Sequence, residues 1–550
     1  TLGVEYRPGE LKYTQGGDWN GITQKLDYIK DLGVTAIWIS PPSENELLSR
    51  DGEESGYHGY FTHNYNSADP HYGTKEDLIN LVSTAHEKGL KVILDVVPNH
   101  TADYFNGSSS TYDSDSYQPA APFNNPDWYH HFGDITDWSD ENQVLNYDLG
   151  GLDDLNQDNP DARQAIKDAY KAWVEDTGAD GVRIDAARSL PKDFIQEFEN
   201  YLGVPSFGEI FVGDVDYVSD FSNYEWGVLD FPLFFQAREV FAHDASFTTV
   251  KSIFDQDSKY NDVNHLVTFI DNHDRDRFLC LADDNYQKLR LALTFIFTVR
   301  GIPDVYYGTE QNCYGGGVPT EWAGIANKEN REVMPGFDED GITFKYIQRL
   351  TELRKEYACL QTGTQREMWA EDNIYAFSRR DDSNGQEIIS VFNNGTSNET
   401  RAIPLRAESS LAVGATLTNL LDTSVTATVE AGGITGKVLN LTIPAKTAWV
   451  FTSDNVADYA PPARTVTTIR VHYDVGLGNT MYLRGSDYPL TWDSGRSMLN
   501  VSSDVWVYET ERIGKGESFE LKPLINDTTW SSGNNYTVVG GETIDIYPNF

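Results

Sequence analysis

The chain has 550 residues, 39% hydrophobic and 13% aromatic, more than one hydrophobic core normally serves, so at least two structural units of a globular protein are predicted. Asp and Glu number 85 against 42 Lys and Arg, a formal net charge of −43; that field disfavours nucleic acid and anionic membrane surfaces and leaves neutral or cationic partners. No apolar run approaches the roughly 18 residues of a bilayer span, and Cys280, Cys313 and Cys359 allow one disulfide at most and are too widely spaced for a structural zinc site.

In chain order, Ile22, Leu26 and Ile29 recur at helical spacing until Gly33, and Ala36 to Ser40 then reads as a strand. The unit repeats with Leu78, Leu81, Val82 and Ala85, closed by Gly89, before a strand over 91–97. It repeats again with Ile166, Ala169, Tyr170 and Trp173, closed by Gly178, before the run Gly181 to Asp185. Further strands are predicted at 204–209, 227–231, 265–270 and 303–307, seven in all. Alternating helix and strand is the α/β pattern of βα units around a parallel sheet, and a (β/α)8 barrel needs eight strands. The first fifteen residues carry Gly3, Pro8 and Gly9 instead of an apolar run. The first barrel strand is therefore expected to be missing and the chain trimmed at its amino end, the alternative being closure by residues 2–6.

Residues 99–153 break the βα rhythm and are rich in Asn, Asp, Tyr, Pro and His; a connection that long is usually functional or a small domain. After about residue 360 short alternating strands predict an all-β domain. A linker is read over 454–466, with Pro461-Pro462 in it, and a second β module over 467–550. Trp492, Trp506 and Trp530, with Tyr473, Tyr482 and Tyr488, give that module more rings than so small a core needs.

The chemistry-bearing pattern is a succession of carboxylates at strand ends. Arg183 and Asp185 lie two positions apart on one face of a strand, Glu209 ends the next apolar run, and Asp274 closes Phe269-Ile270-Asp271-Asn272-His273-Asp274. A single such Asp is usually a cap or an ion-pair partner. With Asp95-Val96-Val97-Pro98-Asn99-His100 upstream, however, the four segments resemble the ordered regions of the α-amylase superfamily of glycoside hydrolases, through roughly the first 450 residues.

That resemblance implies a TIM barrel, domain A, over 1–98 and 154–358, with domain B inserted over 99–153 and an all-β domain C over 359–453. It implies Asp185 as nucleophile, Glu209 as acid/base and Asp274 as the third carboxylate. Arg183 is expected to keep Asp185 ionised, while Glu209 needs a less compensated setting to hold its proton. His58, His100 and His273 match sugar-binding histidines, and Tyr60 a stacking platform. Calcium is the implied cofactor, held by Asn99, Asp154 and a backbone carbonyl at Ser189, with Asp18 a possible member of a second site. Arg188 stands where the family has a Lys that contacts the sugar just beyond the cleavage point, and the two cations differ in donor geometry.

The function implied is that of an endo-acting α-amylase hydrolysing α-1,4-glucan with retention. Its partners would be starch and maltooligosaccharides, not nucleic acid or membrane; it would be a secreted, extracellular monomer, its signal already removed, with 467–550 a starch-binding β-sandwich. The runner-up is a cyclodextrin glucanotransferase or maltogenic-type transglycosylase, because Gly17 to Trp19, Tyr57 to Tyr60, Thr268 to Asp274 and Tyr306 to Gln311 resemble those enzymes closely. Against it, they carry two further domains after domain C where about 85 residues remain here, and their central aromatic falls at Tyr147 in a stretch lengthened around Gly150-Gly151. A non-catalytic sugar-binding relative is the reading from another class; it predicts loss of a catalytic carboxylate, and all three are present.

Overall fold

The computed structural model describes residues 5–114, 116–315, 328–487 and 489–550. Tyr488 and the start of the proposed closing segment 2–6 lie outside the described residues. A parallel sheet is built in sequence order from β1 (Ala36–Ile39), β2 (Lys91–Val96), β3 (Gly181–Ile184), β4 (Ser206–Gly208), β5 (Gly227–Leu229), β6 (Leu266–Thr268) and β7 (Ile302–Pro303). Strands stand at all seven predicted places among the described residues; six are shorter than their apolar runs, and the last, Ile302–Pro303, meets the predicted 303–307 only at Pro303. Two local causes are visible. Asp230 ends β5 by accepting the N–H of Leu233 at 3.1 Å and so starting the helix Phe231–His243, and Pro303 in β7 has no N–H to give to a ladder.

Between the strands lie the helices that the apolar spacing predicts. Helix α1 (Trp19–Asp31) is capped by Asp18, whose carboxylate accepts the N–H of Gly21 at 2.6 Å; this capping is the role the structure gives to Asp18. Helix α2 (Lys75–Glu87) opens with a reciprocal Thr74/Asp77 capping box. The helix Pro160–Thr177 buries Ile166, Ala169, Tyr170 and Trp173 and ends on Gly178 at φ 74°, a left-handed conformation that glycine adopts without Cβ strain. Phe207, Leu229, Phe231, Phe234, Val267 and Phe269 pack into one cluster. The curled parallel sheet with outer helices is the TIM-barrel architecture.

The excursion 99–153 contains little regular structure beyond the helix Glu141–Asn146. It is tied back by main-chain bonds at its base, Thr101 N–H to Asp153 O at 3.0 Å and Leu155 N–H to Asn99 O at 2.9 Å. Inside it, buried Asp153 accepts the N–H groups of Tyr104 and Phe105. From Thr364 to Thr452 eight strands pair around a core that includes Ile374, Ile389, Val391, Leu439 and Phe451.

By contacts, residues up to Leu281 with Lys288–Ala460 form one compact unit, and Ala282–Gln287 with Pro461–Phe550 another. The first half of the predicted linker therefore belongs to the first unit. Tyr459 donates its N–H to Thr423 Oγ1 at 2.8 Å and lies under the Arg349 guanidinium at 4.4 Å, so the chain leaves that unit at Pro461. In the second unit one sheet centres on Thr467–His472 and Val505–Thr510, the other on Met481–Gly485 and Ser518–Ile525. Ile469, Val471, Met481, Leu483, Trp506 and Leu521 form a shared core. Trp506 is thus a core residue, whereas Trp492 and Trp530 are 37% and 42% exposed, with ring centroids 6.3 Å apart. Cys280, Cys313 and Cys359 are all buried, and no disulfide joins any two of them.

Candidate active site

Backbone register assembles the site at the carboxyl ends of β2, β3 and β4. Asp95 of β2 pairs with Arg183 of β3, and Arg183 with Phe207 of β4. The ladder continues past the strands, Asp185 N–H to Val96 O at 2.9 Å and Glu209 N–H to Ile184 O at 3.0 Å, so adjacent strand ends present Asp185 and Glu209 side by side.

Arg183 is fully buried and holds three carboxylates: Asp95 at 3.0 Å, Asp185 at 2.7 Å and Glu209 at 2.8 Å. Burial pushes Asp185 and Glu209 each up to about 7, and Asp95 up to about 6, against the opposing pull of Arg183. One guanidinium cannot neutralise three carboxylates out of water, so the cluster retains protons that exposed acids would have lost. This corrects the sequence expectation that Glu209 sits in a less compensated setting than Asp185, since both touch the same cation. What sequence spacing could not convey is that β4 brings Glu209 onto the other nitrogen of the guanidinium. Ala186, at φ 48°, also donates its N–H to Glu209 Oε2 at 3.2 Å.

Asp274 lies in a different field. Burial acts to raise it, but His273 at 3.0 Å, Arg331 at 3.0 Å and Arg183 hold its carboxyl well below the usual range. Tyr60 stands between His58 and His273, its ring nearly parallel to both at 5.6 and 5.5 Å. Its hydroxyl donates to Asp95 Oδ2 at 2.9 Å and lies 2.9 Å from His273 Nε2, so Tyr60 carries part of the polar network as well as an aromatic face. His58 accepts the Tyr60 N–H at Nδ1, and its own ring is held below the ordinary imidazole range by burial. His100 is fully buried 3.9 Å from Asp185, and burial lowers it to about 4.

Three participants were not singled out from the sequence. Asp95 opened one of the four matching segments and was given no role of its own, although it pairs in register with Arg183. Asn330 and Arg331 give no spacing signal at all. They reach the site through tertiary contact, Asn330 Nδ2 donating to His273 O at 2.6 Å and Arg331 Nε to the same oxygen at 2.8 Å.

The residues implied as calcium ligands come together in part. Asn99 and Asp154 are fully buried, and Asn99 Oδ1 and Asp154 Oδ1 have no hydrogen-bond partner. Burial and Asp148 drive the Asp154 carboxyl well above the carboxylate range, and its other oxygen lies 2.6 Å from His130 Nδ1. Two orphaned hard oxygens at one base are a fit for a divalent cation. Ser189 is buried at the end of the short helix Ala187–Ser189. Among the described residues no group of three His, Cys, Asp or Glu side chains is arranged to hold a metal ion, so such a site depends on Asn and carbonyl oxygens. Arg188 turns its guanidinium to Trp138 O at 2.7 Å. The Tyr147 ring stacks on Phe132 at 5.3 Å.

Residues 7–340 match the model of the α-amylase catalytic domain. A β/α-amylase of Paenibacillus polymyxa is 39% identical over 80% of this chain, which spans 35% of that protein. A cyclomaltodextrin glucanotransferase of Bacillus sp. (strain 38-2) is 30% identical over 96% of this chain and 79% of its own length. Among solved structures, a cyclomaltodextrin glucanotransferase described as the first with a three-domain ABC distribution is similar with a TM-score of 0.73 and 32% identity, over 82% of this chain and 94% of that one. The α-amylase of Geobacillus thermoleovorans complexed with acarbose gives 0.69 and 30%, over 81% and 94%. Carboxylates at successive barrel strand ends and the match over more than half the length lead to one conclusion: the chain belongs to the α-amylase family, whose members are glycoside hydrolases and transglycosylases.

Proposed function

We propose that this protein cleaves α-1,4-glucan with retention, chiefly as an endo-acting α-amylase. The observation that carries the reading is the sharing of Arg183 by Asp185 and Glu209. Two carboxyl groups bound to one guanidinium suit the short separation of retaining enzymes, about 5 Å, better than the wider gap that admits a water between them. Glu209, as the acid, gives its proton to the glycosidic oxygen while Asp185 attacks the anomeric carbon and the bond to the leaving sugar breaks. Glu209, now a carboxylate, takes a proton from water as the water oxygen attacks the same carbon and frees Asp185. Asp274, held ionised by Arg331 and His273, would bind hydroxyls of the distorted sugar, with His58, His100 and Tyr60 around it. A calcium ion, when bound, would supply positive charge for the buried Asp154 carboxylate; Asn99, Asp154 and the Ser189 carbonyl would hold it and so pin the excursion 99–153. In the second unit the exposed Trp492 and Trp530 pair would stack on glucose faces of starch.

A second reading, transfer to a sugar hydroxyl in place of water, is favoured by the glucanotransferase relatives. The three-domain example removes domain count as an argument against it. The stacking of Tyr147 on Phe132 favours hydrolysis, because it engages the aromatic that falls at the family's central position. Incubation with soluble starch should give rapid loss of iodine staining and linear oligosaccharides. Predominantly cyclic products would replace the first reading by the second, and no turnover of any α-glucan would end both.

A further inference from the structure

Arg188 occupies a junction. Its main-chain N–H donates to the carbonyl of Glu209 at 3.2 Å, beside Ala186, whose N–H holds the Glu209 carboxylate. The acid that protonates a leaving oxygen must face that oxygen, so the segment fastened to Glu209 flanks the leaving sugar. From there the side chain runs outward to the excursion. One terminal nitrogen donates to Trp138 O at 2.7 Å, and the guanidinium carbon lies 5.4 Å from the Trp138 ring and 5.5 Å from that of Tyr217. Tyr217 in turn donates to both carboxylate oxygens of Glu141 at 3.1 Å, at the start of the helix Glu141–Asn146. Trp138 itself is 48% exposed.

Resting on the α-glucan reading above, we propose that Arg188 is a positioning residue, a strut between the acid-bearing segment and Trp138 that fixes the rim of the leaving side, and is not itself the sugar ligand that its position suggests. The physical reason is geometric. A planar guanidinium can lie against two aromatic rings and still donate in its plane to a carbonyl, whereas a lysine ammonium is a compact point charge that can reach a sugar hydroxyl but has no plane to lay between rings. The group is thus engaged through one terminal nitrogen and against two rings, while its Nε is buried without a hydrogen-bond partner, and Trp138 keeps an exposed surface beside it.

The test uses the full chain with Arg188→Lys, Arg188→Met, Trp138→Ala and the double variant Arg188→Met/Trp138→Ala, measuring the ratio of transfer to hydrolysis with added maltose as acceptor. A strut predicts that both Arg188 variants lower the ratio about ten-fold, the size of one lost contact of about 1.4 kcal/mol. It also predicts that the double variant is no worse than Trp138→Ala alone. A Lys variant with the parental ratio, or losses that multiply in the double variant, would overturn the proposal in favour of direct sugar contact. Amide hydrogen exchange needs no turnover: Arg188→Met should speed exchange across 136–146, and unchanged exchange there overturns the strut. If the parent protein turns over no α-glucan, the proposed function fails while exchange still decides whether Arg188 braces Trp138.

Discussion

Arg183 sets the electrostatics of the site because three carboxylates depend on one cation. Exchange of either partner for its amide keeps shape and removes the charge or proton the reaction needs. Asp185→Asn and Glu209→Gln should each lower kcat/KM on soluble starch by at least ~10², the lower bound typical of general acid–base catalysis; a smaller loss for either would reject its assignment. The pH profile follows from the same cluster. Activity requires Asp185 ionised and Glu209 protonated, and burial holds both near about 7, so kcat/KM should be bell-shaped with apparent values belonging to the pair. A plateau extending well above pH 9 would contradict it. Stability carries the opposite sign. In the unfolded chain these acids ionise near ~4, so between that pH and about 7 the folded state binds protons the unfolded state lacks, and stability falls as pH rises through the window. Asp185→Asn should therefore raise Tm more at pH 8 than at pH 4, as calorimetry can check.

At the scale of elements, the parallel register of β2, β3 and β4 does most of the positioning, and buried tyrosines finish it. Tyr170 accepts the Val97 N–H on its hydroxyl oxygen at 2.8 Å, while Tyr65 donates to Val97 O and to His100 O at 3.1 and 2.6 Å. These bonds fix the turn that carries Asn99 and His100. The same turn is the hinge of the calcium proposal, because a ligand bound by the native state alone raises stability by mass action. Chelation should lower Tm and added calcium should restore it, with the largest change in proteolytic susceptibility inside 99–153. An unchanged melting curve after verified metal removal would refute calcium as a stabilising element.

For the molecule as a whole, the charge of −43 is a distributed self-repulsion. Raising NaCl from ~0.1 to ~1 M shortens the screening length from about 10 to about 3 Å, so Tm should rise over that range. A fall would mean that attractive surface pairs outweigh the repulsion. The second unit adds the exposed Trp492 and Trp530 pair to a core already supplied with Trp506. Removing 467–550 should reduce adsorption to granular starch while leaving hydrolysis of short soluble maltooligosaccharides nearly unchanged. Equal adsorption by the two proteins would sink the starch-binding proposal.

By itself the sequence determined the seven strands, their helices and the order Asp185, Glu209, Asp274, because apolar periodicity and the chemistry of strand ends are local properties written along the chain. It also located the break at 99–153 and the onset of the all-β regions. Tertiary structure alone decided which groups share a charge. Asp95 and Glu209 lie far from Arg183 in sequence and meet it through register, and Arg331 reaches Asp274 from a turn with no periodicity of its own. It also decided the fate of residues whose type admits several roles: Asp18 became a helix cap, Trp506 a core ring, Trp492 and Trp530 surface rings. The physical reason is range. Propensity and patterning act over a few residues, whereas desolvation and ion pairing are set by whatever the fold brings within a few ångströms, which no single stretch of sequence contains.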